Sequence, residues 1–115
     1  MNRDVEQRRA QRKHANSPMP IVDVMTERVL GQLGNLSATG LMLLGPHAPR
    51  SGAVHQVTFM LPGTRQAEHR VEIGIQEQWH EPAAVAGQFW SGYRIVAASD
   101  DDVRAIDEWI GPPAD

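Results

Sequence analysis

The amino-acid sequence predicts a small antiparallel β-barrel closed by one terminal helix. Three observations carry that prediction. Between Ile21 and Ala97, short runs rich in β-branched and apolar residues are separated by glycine and proline turns. After Ala98 the apolar period changes from that of a strand to that of a helix. The chain has 115 residues, enough for one domain with one modest core.

The elements follow in order. Residues 1–18 are polar and arginine-rich, with no apolar face to dock, and read as a flexible arm. Pro18 and Pro20 end the arm and favour extended chain. Residues 19–111 form the barrel and helix, and 112–115 a tail. Ile21 to Thr26 reads as the first strand and Arg28 to Leu33 as the second, before a turn at Asn35. Leu41 to Leu44 is the third, closed by Gly45-Pro46. Val57, Phe59 and Leu61 alternate with polar partners in the strand from Val54 to Leu61, and Pro62-Gly63 turns the chain. Val71, Ile73 and Ile75 define a strand running to Trp79, which His80-Glu81-Pro82 is expected to break. Val85 to Phe89 and Tyr93 to Ala97 form the last pairing, with Ser91-Gly92 at a turn or bulge. Ser99 and Asp102 then make a capping box, and Val103, Ile106 and Ile110 share a helical face flanked by Ala105 and Trp109. Gly111-Pro112-Pro113 ends the helix. In all, six or seven short strands precede the helix.

Composition excludes several function classes. Net charge is -3, which does not mark the whole molecule as a nucleic-acid binder. Charge is unevenly placed: five of the eleven basic residues lie within the first thirteen positions, while the last seventeen residues hold six acids and only Arg104. A basic arm on an acidic body points to an anionic partner that meets the arm. The chain has no cysteine, which removes disulfides and thiolate metal sites and fits a reducing, cytoplasmic setting. No apolar run is long enough for a membrane span, and no secretory signal is expected. The five histidines lack metal-ligand spacing, so no metal is expected. Ser37 has no base partner and no nucleophile-elbow context, so no catalytic residue and no enzyme activity are expected.

The arm and the turn before Leu41 carry the candidate site. Arg8 and Arg12 are four apart, with Arg9 and Lys13 adding charge. A guanidinium forms bidentate bonds to phosphate, matches guanine O6 and N7, and stacks on a purine ring. Downstream, Asn35 carries an amide that donates and accepts, Ser37 a short hydroxyl, and Gly40 a backbone free for close approach or positive φ. The same residues also suit a plain turn in which side chains bond their own backbone.

Arg8-x-x-x-Arg12 followed by Asn35-x-Ser37-x-x-Gly40 resembles the paired signature of the PilZ domain family. The similarity runs from Gln7 to Ile110. Met60-Leu61-Pro62-Gly63 resembles that family's mid-barrel strand and turn. Gln78-Trp79 and Gly92-Tyr93-Arg94-Ile95 resemble its closing strand pair, and Asp101 to Ile110 its terminal helix. The resemblance implies a mainly β fold: a six-stranded antiparallel PilZ-type barrel, a C-terminal helix and a flexible N-terminal arm. It implies a receptor for cyclic di-GMP, with no other cofactor. Arg8, Arg9 and Arg12 would meet guanine and phosphate, Asn35 and Ser37 the opposite guanine or its phosphate, and Gly40 would shape the floor. Trp79 would sit near the ligand, although core or rim placement suits both Trp79 and Trp90. Asn35 stands where many members have Asp, and Gln7 where a further arginine would strengthen the cluster. Ligand binding would rearrange the arm and signal through a separate effector protein, the receptor being a monomer or a ligand-dependent dimer. Two alternatives stand beside this. One is a PilZ-like interaction module that does not bind the nucleotide. The other is a small barrel binding single-stranded nucleic acid, against which net charge and low aromatic content (5%) argue.

Overall fold

The computed structural model describes residues 11–63 and 68–112. Arg8 and Arg9, with Gln7 and the first ten positions of the arm, lie outside the described residues, as do Pro113 and the end of the tail.

Among the described residues, seven strands and one helix follow one another: β1 (Lys13–His14), β2 (Pro20–Asp23), β3 (Val29–Leu36), β4 (Gly40–Gly45), β5 (Val54–Leu61), β6 (His69–Pro82), β7 (Phe89–Ala97) and α1 (Asp100–Ile110). All pairings are antiparallel. In the order β3-β2-β5-β6-β7-β4, with β4 returning to β3, six strands close a barrel. Closure leaves those strands without a free sheet edge at the seam. β1 is an addition to the six. It pairs with the far end of β3, through Lys13 opposite Leu36 and His14 opposite Asn35, beyond the stretch that β2 occupies.

The barrel interior is filled by the alternating inward residues of β5 and β6, Val57, Phe59, Leu61, Val71, Ile73 and Ile75. Ile21, Leu33, Leu36, Leu41 and Leu43 complete it from the other side. Ile106 and Trp109 bring α1 into the same core. Ser99 caps the helix by accepting from the Asp102 amide (3.1 Å). The return half of the expected capping box is used elsewhere, because the Asp102 carboxylate meets His69 Nε2 (3.0 Å) and the Glu72 amide (3.3 Å) on β6. Gly111, at φ 81°, ends the helix with its amide on Asp107 O.

Five local expectations are corrected. β2 stops at Asp23, whose carboxylate accepts the Met25 and Thr26 amides and turns the chain. Asn35 lies within β3, and the turn falls on residues 37–39. β6 runs through His80-Glu81-Pro82 because Pro82 is its last residue, where a missing amide costs no interior ladder bond. Ser91 and Gly92 lie inside the single strand β7, paired with both β4 and β6. The buried face of α1 is Asp102, Ile106 and Trp109, and Val103 is exposed.

Candidate functional site

Two β-bulges shape one outer region of the barrel. The β3–β4 register steps from Leu33 opposite Leu43 to Asn35 opposite Met42, leaving Gly34 as the extra residue. A bulge shifts the alternation by one. Leu33 and Leu36 therefore both face the core, and Asn35 is turned out of the core line. Gly34 is tied to close packing, since a Cβ there would lie 2.8 Å from the Trp90 ring. The second bulge, between Glu77 and Trp79, sets Gln78 aside from the β6–β7 ladder.

Asn35 is almost covered, at 6% exposure, because its side chain is held on both ends. Arg12 Nη1 donates to Asn35 Oδ1 at 2.7 Å, and Asn35 Nδ2 donates to Met42 Sδ at 3.6 Å. Arg12 is itself exposed. Ser37 is fully buried, and its hydroxyl accepts from the amides of Thr39 (3.2 Å) and Gly40 (3.1 Å). The same Oγ lies 3.2 Å from Gly40 O, so this side chain builds the β3–β4 turn. Gly40 does not take a positive φ. Its glycine requirement is one of space: a Cβ would lie 2.5 Å from Tyr93 O on β7 and 3.7 Å from Arg12 Nη2.

Above that floor opens a cavity of about 440 Å³, lined by Arg12, Gly40, Met42, Gln78, Trp79 and Arg94 among others. The volume suits a small organic ligand. Trp79 is 42% exposed, and its five-membered ring stands where a side chain of the cross-strand partner Gly92 would be. Gly92 thus seats the indole as one wall. Arg94 lies directly across β4–β7 from Gly40 and donates to Gln76 Oε1 at 3.3 Å. Of the residues anticipated from sequence, Arg12, Gly40 and Trp79 line the cavity, while Asn35 and Ser37 are buried and do not line it. Arg94 and Gln78 were not anticipated. Arg94 becomes visible only once the β4–β7 register is known, and Gln78 only through its bulge.

Beside this cavity Glu77 accepts from the Gly52 amide (2.8 Å) and pairs with His80 Nδ1 (2.8 Å). The His80 hydrogen bond, then the Gly52 amide, hold the Glu77 carboxyl below its ordinary value, against a smaller opposing effect of burial. Asp23, at the end of β2, pairs with His55 of β5 (2.9 Å). Burial is the largest influence on Asp23 and pushes it up, but the His55 bond, the Thr26 and Met25 amides and the His55 charge together bring it below the usual range. Burial pushes the Tyr93 hydroxyl up, with Ser91 opposing and Glu77 adding to the rise. The Asp23–His55 pair joins β2 to β5, His69–Asp102 joins β6 to α1 and Glu77–His80 lies within β6, and no histidine is bonded to a hydroxyl among the described residues. The same residues contain no group of three metal-ligating side chains and no helix long and apolar enough to cross a membrane. Two guanidinium groups, an amide and an indole surround the open floor.

No protein-family model and no curated protein matches the sequence. Solved structures do. The chain is similar to the inhibitor of motility MotI/DgrA from Bacillus subtilis, at a TM-score of 0.74 and 15% identity, over 90% of this chain and 49% of that one. It thus spans about half the length of that relative. It is also similar to the PilZ domain of YcgR from Escherichia coli, a structure containing c-di-GMP, at a TM-score of 0.62 and 15% identity, over 87% of this chain and 86% of that one. At such identity the likeness speaks to fold, and it agrees with the closed six-stranded barrel and terminal helix. The chain has the fold of a PilZ-type domain.

Proposed function

We propose that this chain is a cyclic di-GMP receptor that acts through its N-terminal arm. The observation that carries the reading is the placement of Arg12. Its guanidinium is bonded to Asn35, stands by Gly40, and faces a cavity that also holds Arg94 and Trp79. That set matches the ligand's parts: guanidinium forks for phosphates and guanine edges, an indole for a purine face, and a side-chain-free floor. The c-di-GMP-containing neighbour of the same fold supports it. Arg8 and Arg9 would add further contacts from the arm, and Asn35 and Ser37 would meet the ligand after the arm is rearranged. The bound arm would offer an altered surface to an effector protein in the cytoplasm, from a monomer or a ligand-dependent dimer.

A second reading has its own observation. Asn35 Oδ1 is already taken by Arg12, and the Ser37 hydroxyl is committed to its turn. This favours a PilZ-like interaction module that does not bind the nucleotide.

Titration calorimetry with cyclic di-GMP decides between the two. The receptor reading expects saturable heat, and Arg12→Ala should weaken binding by at least about 2 kcal/mol, the scale for a charged hydrogen-bonding partner that the ligand would cover. The fold of that variant should be intact. Absence of heat from the wild-type chain at high ligand concentration removes the receptor reading and favours the second. Tight, steeply salt-dependent binding of a mixed-sequence single strand would replace both with the nucleic-acid reading.

A further inference from the structure

Arg12 precedes β1 and Lys13 begins it, and their side chains make contacts at different places. Arg12 lines the cavity. Lys13 reaches the far end of the chain instead, where its Nζ donates to the Trp109 carbonyl at 2.7 Å and lies 4.5 Å from the centroid of the Trp109 ring. That carbonyl belongs to the last turn of α1, where helix acceptors lack intrahelical partners and the helix dipole is negative. α1 carries three acids in its first turn and no basic residue in its last, so its own sequence leaves the C-terminal end without a cation. Lys13 supplies one and adds a cation–π contact to a tryptophan that is part of the core. A continuous line of contacts therefore runs from α1 through Lys13 and the β1–β3 pairing to Arg12, Asn35 and the cavity floor.

We infer that Lys13 is a positioning residue for the candidate site: it pins β1 to the C-terminus of α1, holding Arg12 over Gly40. Occupation of the cavity and docking of the helix end then stabilise each other, because such coupling is reciprocal. The identity of the ligand rests on the receptor reading above, whereas the pin is a property of the free protein.

Two measurements on the full chain test this, with Lys13→Met removing charge and donor while keeping the apolar stem, and Lys13→Arg keeping both. Hydrogen exchange in the free protein comes first. Lys13→Met should accelerate exchange at the Glu108–Gly111 amides and at the Ala15 amide, which donates to Gly34 O on β3. Lys13→Arg should restore slow exchange at both ends. Titration with cyclic di-GMP comes second. Affinity should fall at least about fivefold in Lys13→Met and recover in Lys13→Arg, the low end of ordinary coupling between sites. Added ligand should slow exchange at Glu108–Gly111 in the wild type but not in Lys13→Met. Weaker binding with unchanged helix exchange would make Lys13 a direct ligand contact and overturn the inference. Faster helix exchange with unchanged affinity would overturn it too, leaving Lys13 a helix cap alone. A wild type that binds no cyclic di-GMP defeats the receptor reading. The free-protein exchange then decides the pin by itself, and unchanged rates at either end sink it.

Discussion

Gly40 illustrates how a residue can be legible as part of a motif while its reason is not. Its place after Asn35 and Ser37 marks it in the sequence, with close approach and positive φ as equal explanations. The structure decides for close approach, since β7 passes so near that a Cβ would meet Tyr93 O at 2.5 Å. The obstacle is a backbone carbonyl in a paired strand, so it cannot rotate away as a side chain would. Gly40→Ala should therefore destabilise the chain by about 1–3 kcal/mol through overpacking, read as a lower urea midpoint with an unchanged slope. An undisturbed midpoint would mean that β4 and β7 separate freely there. Asn35 was likewise legible, but its setting depended on the Gly34 bulge, which no local pattern announced. Arg94 was hidden altogether, because its tie to the site is a register position opposite Gly40 rather than a neighbour in sequence.

At the scale of elements, alternation in β5 and β6 and the change of period at Ser99 made the barrel and its helix readable from residues alone. The errors arose where tertiary pairing overrode local signals. Pro82 and Gly92 look like breakers, yet one ends β6 and the other is covered by the Trp79 indole inside β7. Two histidine-paired carboxylates carry a pH prediction. Asp23 and Glu77 are held below their usual values of 3.8 and 4.5 in the fold, so the unfolded chain takes up their protons first. Their contribution is fully present above those usual values and is lost as pH falls through them towards the lowered folded values. Asp23→Asn keeps an acceptor for the Met25 and Thr26 amides but cannot titrate. Its urea midpoint should fall less steeply than that of the wild type as pH is lowered from about 5 to about 3. Parallel acid limbs in the two proteins would assign the acid sensitivity to other carboxylates.

For the whole molecule, the uneven distribution of charge is the property that bears on the proposed ligand. Net charge is negative, yet Arg12 and Arg94 both line the cavity over β4 and β7, while Lys13, next to Arg12 in sequence, is held at the end of α1. An anionic ligand bound in the cavity joins the arm to the barrel, and through Lys13 to the helix, so its free energy should appear as global stability. Binding to the folded state alone stabilises by an amount set by the ratio of free ligand to dissociation constant, about 2.7 kcal/mol at a hundredfold excess. For a domain of this size that corresponds to a rise in Tm on the order of 10 °C. Cyclic di-GMP should produce such a rise in the wild type, and Arg12→Ala should show little of it at the same ligand concentration while keeping its ligand-free Tm. A low ligand-free Tm in Arg12→Ala would instead mark the Arg12–Asn35 bond as structural. An equal rise in both proteins would place the ligand away from Arg12 and rule out the floor at Gly40 as the proposed nucleotide site.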